Sequence, residues 1–341
     1  MASKNLAEVS IIRPILIVLL VVYHAFIIYR GGWSQPAGFQ ENTVYWWIAT
    51  AAYSFMLEMF VFISGYVWAF QLFECKKSQS FKQLVGAKFK RLIIPSLIFS
   101  IAYVILLGSE LSSAPKLIYA ILSGYGHMWF LPMLFWCFVG GYVIERIKIK
   151  EEYKLLLLLL CAMVSFLPLP FGLQGAMYYI FFFYAGFYLR KRLADGTIDT
   201  SKLKLVLLWV VFVFMFVTLT IARQTLMGDI SDNIIIKAIV ISGAKLCKII
   251  YAGLGIAAMY YTVISITSRR EVKRWIVKLG EYCFGVYLFQ QFILKGLYYH
   301  TDLPIAVGST WLPWIGTAIA LSGSLLLSWL FRKTKFGRAL I

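Results

Sequence analysis

The chain has few acidic side chains: 15 Asp and Glu stand against 33 Lys and Arg in 341 residues. Charged residues of either sign reach only 14%. Soluble domains average about 25%, so an ordinary soluble domain is excluded. Histidine occurs three times, at separate places, which excludes a His-rich metal site. The five cysteines are Cys75, Cys137, Cys161, Cys247 and Cys283. Four lie in apolar runs and none forms a Cys-x-x-Cys pair, so neither a disulfide framework nor a cysteine metal site is expected. There is no Gly-rich P-loop, no serine nucleophile elbow and no internal repeat. Short alternating segments are missing too, which excludes a transmembrane β-barrel.

What abounds is apolar sequence, 61% of residues with a mean hydropathy of +0.79. It comes in blocks of roughly 20 residues, the length that crosses a bilayer as a helix. The expected fold is all-α: a polytopic helical membrane protein with about ten transmembrane helices, both termini cytoplasmic. The expected spans are 10–30, 45–70, 91–108, 129–145, 154–168, 175–190, 204–222, 236–267, 278–298 and 311–331. The eighth is long and carries Lys245 and Lys248, so it is expected to tilt or to extend beyond the bilayer.

The net charge of +18 invites a nucleic-acid partner, but its distribution argues against one. Basic residues cluster after every second span, as in Lys76 to Arg91, Arg146 to Lys154, Arg190 to Lys204, Arg269 to Lys278 and Arg332 to Arg338. The other loops hold only Arg30, Lys116, Arg223 and Lys237. This alternation is the positive-inside pattern and places both termini in the cytoplasm. Such charge also attracts anionic lipid or a phosphorylated ligand. The first span is too long and too polar for a cleavable signal peptide. Asp229 and Asp232 fall in an expected outer loop and read as solvated.

Arg13 and His24 lie within the first span. Ionisable residues inside a membrane helix are costly, and each is a functional hypothesis by default. Eleven positions make three turns plus roughly 20°, so both side chains share one face, ~16 Å apart along the axis. The blander readings are a snorkelling anchor for Arg13 and an interfacial histidine for His24. Glu58 is the one acidic residue well inside a span. It is expected to be neutral or paired with Arg13, His24 or a lysine, either to orient His24 or as a structural ion pair.

Arg13, ten residues, then His24 resembles the signature of the acyltransferase-3 family of integral membrane O-acyltransferases. Four further stretches agree in order. Phe60-Val-Phe-Ile-Ser-Gly-Tyr66 is similar to the family's second-helix block, and Lys90-Arg-Leu-Ile-Ile-Pro95 to its basic entry into the third helix. His127-Met-Trp-Phe-Leu-Pro132 and Gly285-Val-Tyr-Leu-Phe289 are similar to two later blocks. The resemblance runs from about residue 10 to the C-terminus and implies one membrane-embedded acyltransferase domain, 1–341. The last span ends ten residues before Ile341, so no appended soluble domain is expected.

The resemblance implies transfer of an acyl group, chiefly acetyl, from cytoplasmic acetyl-CoA to a hydroxyl of a surface polysaccharide or lipid-linked glycan. It also implies the bacterial cytoplasmic membrane, with no permanently bound cofactor. Arg13, Lys90 and Arg91 are the candidates for the donor's phosphates. His24 is the candidate general base, since a sugar hydroxyl attacks well only when its proton is accepted. His127 is expected to assist at the outer end, and Trp129 to stack on a sugar face. An aromatic-belt role explains that pair equally simply. Gln290 stands where many family members carry His. It cannot act as a base, but with Tyr287 and Gln291 it is a candidate for lining the pocket. Lys245 and Lys248 share a helix face, suited to an acidic sugar or lipid phosphate, or to snorkelling outwards. Ser64 and Gly65 permit close approach by a helix or by a pantetheine arm. The rival class is a transporter or flippase for lipid-linked sugar or small solutes. A glycan polymerase or ligase usually needs a larger outer loop than any seen here.

Overall fold

The computed structural model describes residues 6–108, 113–193, 201–228 and 233–340, so Asp229 and Asp232 lie outside the described residues. The helices are α1 (Ala7–Phe26), α2 (Thr43–Ala52), α3 (Met56–Phe73), α4 (Phe81–Lys88), α5 (Ile94–Leu107), α6 (Ala114–Ser123) and α7 (Phe130–Glu145). They continue with α8 (Glu151–Met163), α9 (Leu173–Leu193), α10 (Lys202–Gly228), α11 (Ile234–Thr267), α12 (Arg274–Tyr299), α13 (Leu303–Lys333) and α14 (Lys335–Leu340). No strand occurs among the described residues.

Among the described residues seven helical segments are long and apolar enough to cross a membrane: Ala7–Arg30, Thr43–Phe73, Phe81–Leu107, Gly126–Glu145, Lys202–Gly228, Ile234–Thr267 and Leu303–Lys333. They coincide with seven of the ten expected spans. The other three expected spans fall on α8, α9 and α12. α8 has only 13 residues, because its leucine run meets Pro168 and Pro170, which a helix interior does not tolerate. α9 and α12 are long enough, but their tyrosines, glutamines and charges lower their hydropathy. The third span begins earlier than expected, at Phe81. Its helix passes through a π turn at Phe89–Ile93, which accommodates the missing amide hydrogen of Pro95. α11 runs unbroken for 34 residues, about 50 Å, well beyond the ~30 Å of a hydrocarbon core.

The chain divides into two compact units. The first comprises Met1–Met56, Ile98–Ser112 and Ile266–Ile341; the second comprises Leu57–Leu97 and Ser113–Ser265. In the first unit α1 packs on α2, α12 and α13. Ser10 approaches Gly280, His24 bonds Gln290, and the Tyr298 hydroxyl donates to the Ala25 carbonyl at 2.9 Å. These contacts ascend together along both helices, so α1 and α12 lie parallel. α12 and α13 are antiparallel, and a Cβ on Gly285 would collide with Ser328.

In the second unit α7, α8 and α9 form one packed set, and α3 crosses α9 at a pair of glycines. A Cβ on Gly65 would strike the Phe183 carbonyl, and one on Gly186 would strike the Phe62 carbonyl. Helix packing therefore accounts for Gly65. Trp68, Phe138, Phe183 and Phe187 fill the space beside this crossing with tilted and edge-on rings.

Candidate active site

α1 forms because Ile, Leu and Val fill its length with apolar contacts on the buried side, including Ile12, Leu16, Leu20 and Val21. It tightens into a 3-10 turn at Ile27–Arg30 and stops at Gly31, whose φ of 69° suits a residue without a Cβ. This ending turns the chain back so that Trp33 comes over the last turn. The Trp33 ring lies parallel to the His24 ring, 6.0 Å between centroids and 6° between planes.

His24 is 7% exposed. Its Nδ1 lies 3.1 Å from Oε1 of Gln290 on α12. An amide oxygen only accepts, so this contact is a hydrogen bond in the tautomer that carries its hydrogen on Nδ1 and the lone pair on Nε2. That is the tautomer a general base needs if it is to act through Nε2. Gln290 is fully buried, and its Nε2 has no hydrogen-bond partner among the described residues. Arg13, half-buried, acts electrostatically on Cys283 of α12. Arg13 and His24 thus both address α12, as their spacing on one face requires.

A polar and aromatic wall continues from His24. Lys295 Nζ sits 5.3 Å from the ring centroids of both Trp33 and Tyr103. The Tyr103 hydroxyl donates to Gln291 Oε1 at 3.4 Å. Arg30 lies within 5.9 Å of the ring centroids of Tyr23, Trp46 and Tyr53.

Other sequence candidates lie in the second unit. Glu58 is fully buried; Lys248 Nζ is 3.4 Å from its Oε1, and the Tyr178 hydroxyl donates to the same oxygen at 3.2 Å. Of the expected partners, a lysine is the one found, as in a structural ion pair, whereas His24 is held by Gln290. Lys248 is thereby committed to Glu58, and Lys245 donates to Ser165 Oγ at 2.6 Å. His127 is 4% exposed, in the 3-10 turn Gly126–Trp129 that leads into α7. Trp129 is half-buried, tilted against Tyr179 and edge-on to Phe130. Lys90 and Arg91 are both exposed on the π turn, a local geometry common at functional sites.

A family model described as "Acyltransferase domain" matches residues 6–333. The chain belongs to the acyltransferase-3 family. No curated protein and no solved structure matches it.

Three residues of this wall in the acyltransferase were not singled out from the sequence: Trp33, which faces His24, and Tyr103 and Lys295 beyond it. Lys295 lies inside an expected span, so the rule that singled out Arg13 and His24 would have marked it. Trp33 and Tyr103 carry no such mark among 59 aromatic residues (11 Trp, 21 Tyr and 27 Phe).

The basic residues after the sixth expected span form ion pairs. Lys191 Nζ contacts Glu145 at 2.7 Å and Glu151 at 3.0 Å, and the Tyr184 hydroxyl donates to both carboxylates. Arg190 pairs with Glu74 and donates to the Tyr66 hydroxyl at 2.8 Å. Burial opposes the charge on Glu151, but hydrogen bonds from Tyr184 and Lys191 outweigh it and hold the carboxyl below its ordinary range. Burial likewise opposes the Lys191 charge, yet Glu145 and Glu151 hold its ammonium above the ordinary value.

Proposed function

We propose that this acyltransferase moves an acetyl group from cytoplasmic acetyl-CoA to a hydroxyl of an extracytoplasmic or lipid-linked surface glycan, in the bacterial cytoplasmic membrane. The observation that carries the reading is His24, buried, oriented through Nδ1 and faced by Trp33. A sugar hydroxyl attacks the thioester carbonyl while its proton passes to His24 Nε2. The new C–O bond forms, the C–S bond breaks, and the thiolate leaves with a proton returned from the imidazolium. Trp33 supports a carbohydrate acceptor, because an aromatic face suits the apolar face of a sugar ring. Arg13, Lys90 and Arg91 are proposed as cations for donor phosphates, each on its own grounds. His127 and Trp129 are proposed to assist the acceptor.

The proposed orientation rests on the basic loops, and helix parity is compatible with it. Two parallel crossing helices enclose an odd number of crossings. Between α1 and α12 lie the five apolar segments from Thr43–Phe73 to Ile234–Thr267, and α8 with α9 adds a pair. Ten crossings with both termini inside satisfy that parity. The test compares surface-glycan acetyl content in strains with and without the gene. Loss of a glycan acetyl group on deletion, regained on complementation, supports the reading. Unchanged acetylation of every surface glycan contradicts it and returns attention to another acceptor or to transport.

A further inference from the structure

α12 carries two adjacent glutamines, Gln290 and Gln291, at 0% and 4% exposure in an otherwise apolar stretch. A buried amide is costly unless its hydrogen bonds are met. Gln291 Oε1 accepts from Tyr103, and Gln290 Oε1 accepts from His24. Gln290 Nε2 is different: buried and without a hydrogen-bond partner among the described residues. Buried polar atoms of this kind are rare enough to require an explanation.

We infer that Gln290 is the positioning residue for His24, its unmet Nε2 being the cost of holding Oε1 against the imidazole. The inference rests on the proposed acyl transfer. One end of the amide holds Nδ1–H, which fixes both the tautomer and the ring plane. In the step itself the hydroxyl proton goes to His24 Nε2 and the carbonyl electron pair moves onto oxygen. Collapse of that oxyanion restores the carbonyl, expels the thiolate and leaves the acetyl ester. A glutamine has a second property here. It is neutral, so it orients the imidazole without stabilising the imidazolium as a carboxylate does.

The experiment measures kcat and KM for labelled acetyl-CoA and glycan with the full chain in vesicles, for wild type, Gln290→Leu, Gln290→Glu, His24→Ala and His24→Ala with Gln290→Leu. Gln290→Leu is expected to lower kcat about 10²-fold, because a misoriented base loses much of its 10²- to 10⁴-fold contribution, with both KM values within about twofold. On the His24→Ala background the same change is expected to cost much less, because the two groups act as a unit. Gln290→Glu keeps an acceptor for Nδ1–H and stabilises the protonated ring, so the acid limb of its pH–rate profile is expected to move to higher pH. Gln290→Leu at wild-type kcat, full additivity in the double variant, or an unmoved acid limb in Gln290→Glu each overturns the inference. The Gln290→Glu profile decides alone if the leucine variant fails to fold. Full activity in His24→Ala is a separate outcome: it overturns the proposed function itself.

Discussion

The two units of the molecule show different partners at their best-described buried titratable groups. In the second unit every buried or half-buried carboxylate that the structure describes meets a cation: Glu58 meets Lys248, Glu74 meets Arg190, and Glu145 and Glu151 share Lys191. In the first unit the buried titratable group at the site, His24, meets a neutral amide. Pairing of opposite charges locks both partners in one protonation state. A neutral partner fixes geometry and leaves the proton free to move. The second arrangement is what a general base requires, and the first is what a scaffold tolerates in a low-dielectric interior.

That contrast can be broken most severely at Glu58. Glu58→Leu alone leaves Lys248 deprived of its carboxylate, and thermal or denaturant unfolding in detergent is expected to show a loss of about 3–5 kcal/mol. Glu58→Leu with Lys248→Met is expected to recover most of it. A double variant as unstable as the single one would mean that packing, not charge, holds this site.

A smaller effect sharpens the reactive side. Trp33→Ala is expected to raise KM for the glycan about three- to tenfold, the worth of one aromatic contact, while KM for acetyl-CoA stays put. Equal changes in both constants would detach Trp33 from the acceptor. The smallest effect concerns pH. The Glu151 carboxyl is held below its ordinary value, so its stabilising contribution is present above about 4.3 and is lost as pH falls through the lower folded value. Lys191 is raised, so its contribution is present below about 10.4 and is lost as pH rises through the higher folded value. Melting temperature should therefore be flat between these limits. Glu151→Gln should lower that plateau and soften its acid edge; an unchanged acid edge would show that Glu151 is not the group being titrated.

Much of this was legible in the sequence because it is local. Apolar blocks, basic loops and the Arg13 and His24 spacing all lie within one helix or one loop, and all ten expected spans fall on helices. The partners were not legible, because they are remote. His24 and Gln290 are 266 positions apart, and Tyr184 and Glu151 are 33 apart. A chain-long search for partners meets many glutamines and lysines of equal merit. Glu58 illustrates the limit: its need for a partner follows from burial, but the choice of Lys248 follows only from how α3 and α11 meet. The end of α8 was less legible: its leucines read as a span to residue 168, whereas the helix stops at Met163, ahead of Pro168.

The most direct test of the account is acetyl transfer from labelled acetyl-CoA to membrane glycan, in vesicles holding wild type or His24→Ala at matched protein levels and equal melting temperature. The account predicts label with wild type and a loss of about 10²- to 10⁴-fold with His24→Ala. Equal label in both would contradict it and would make His24, with its glutamine, part of the scaffold.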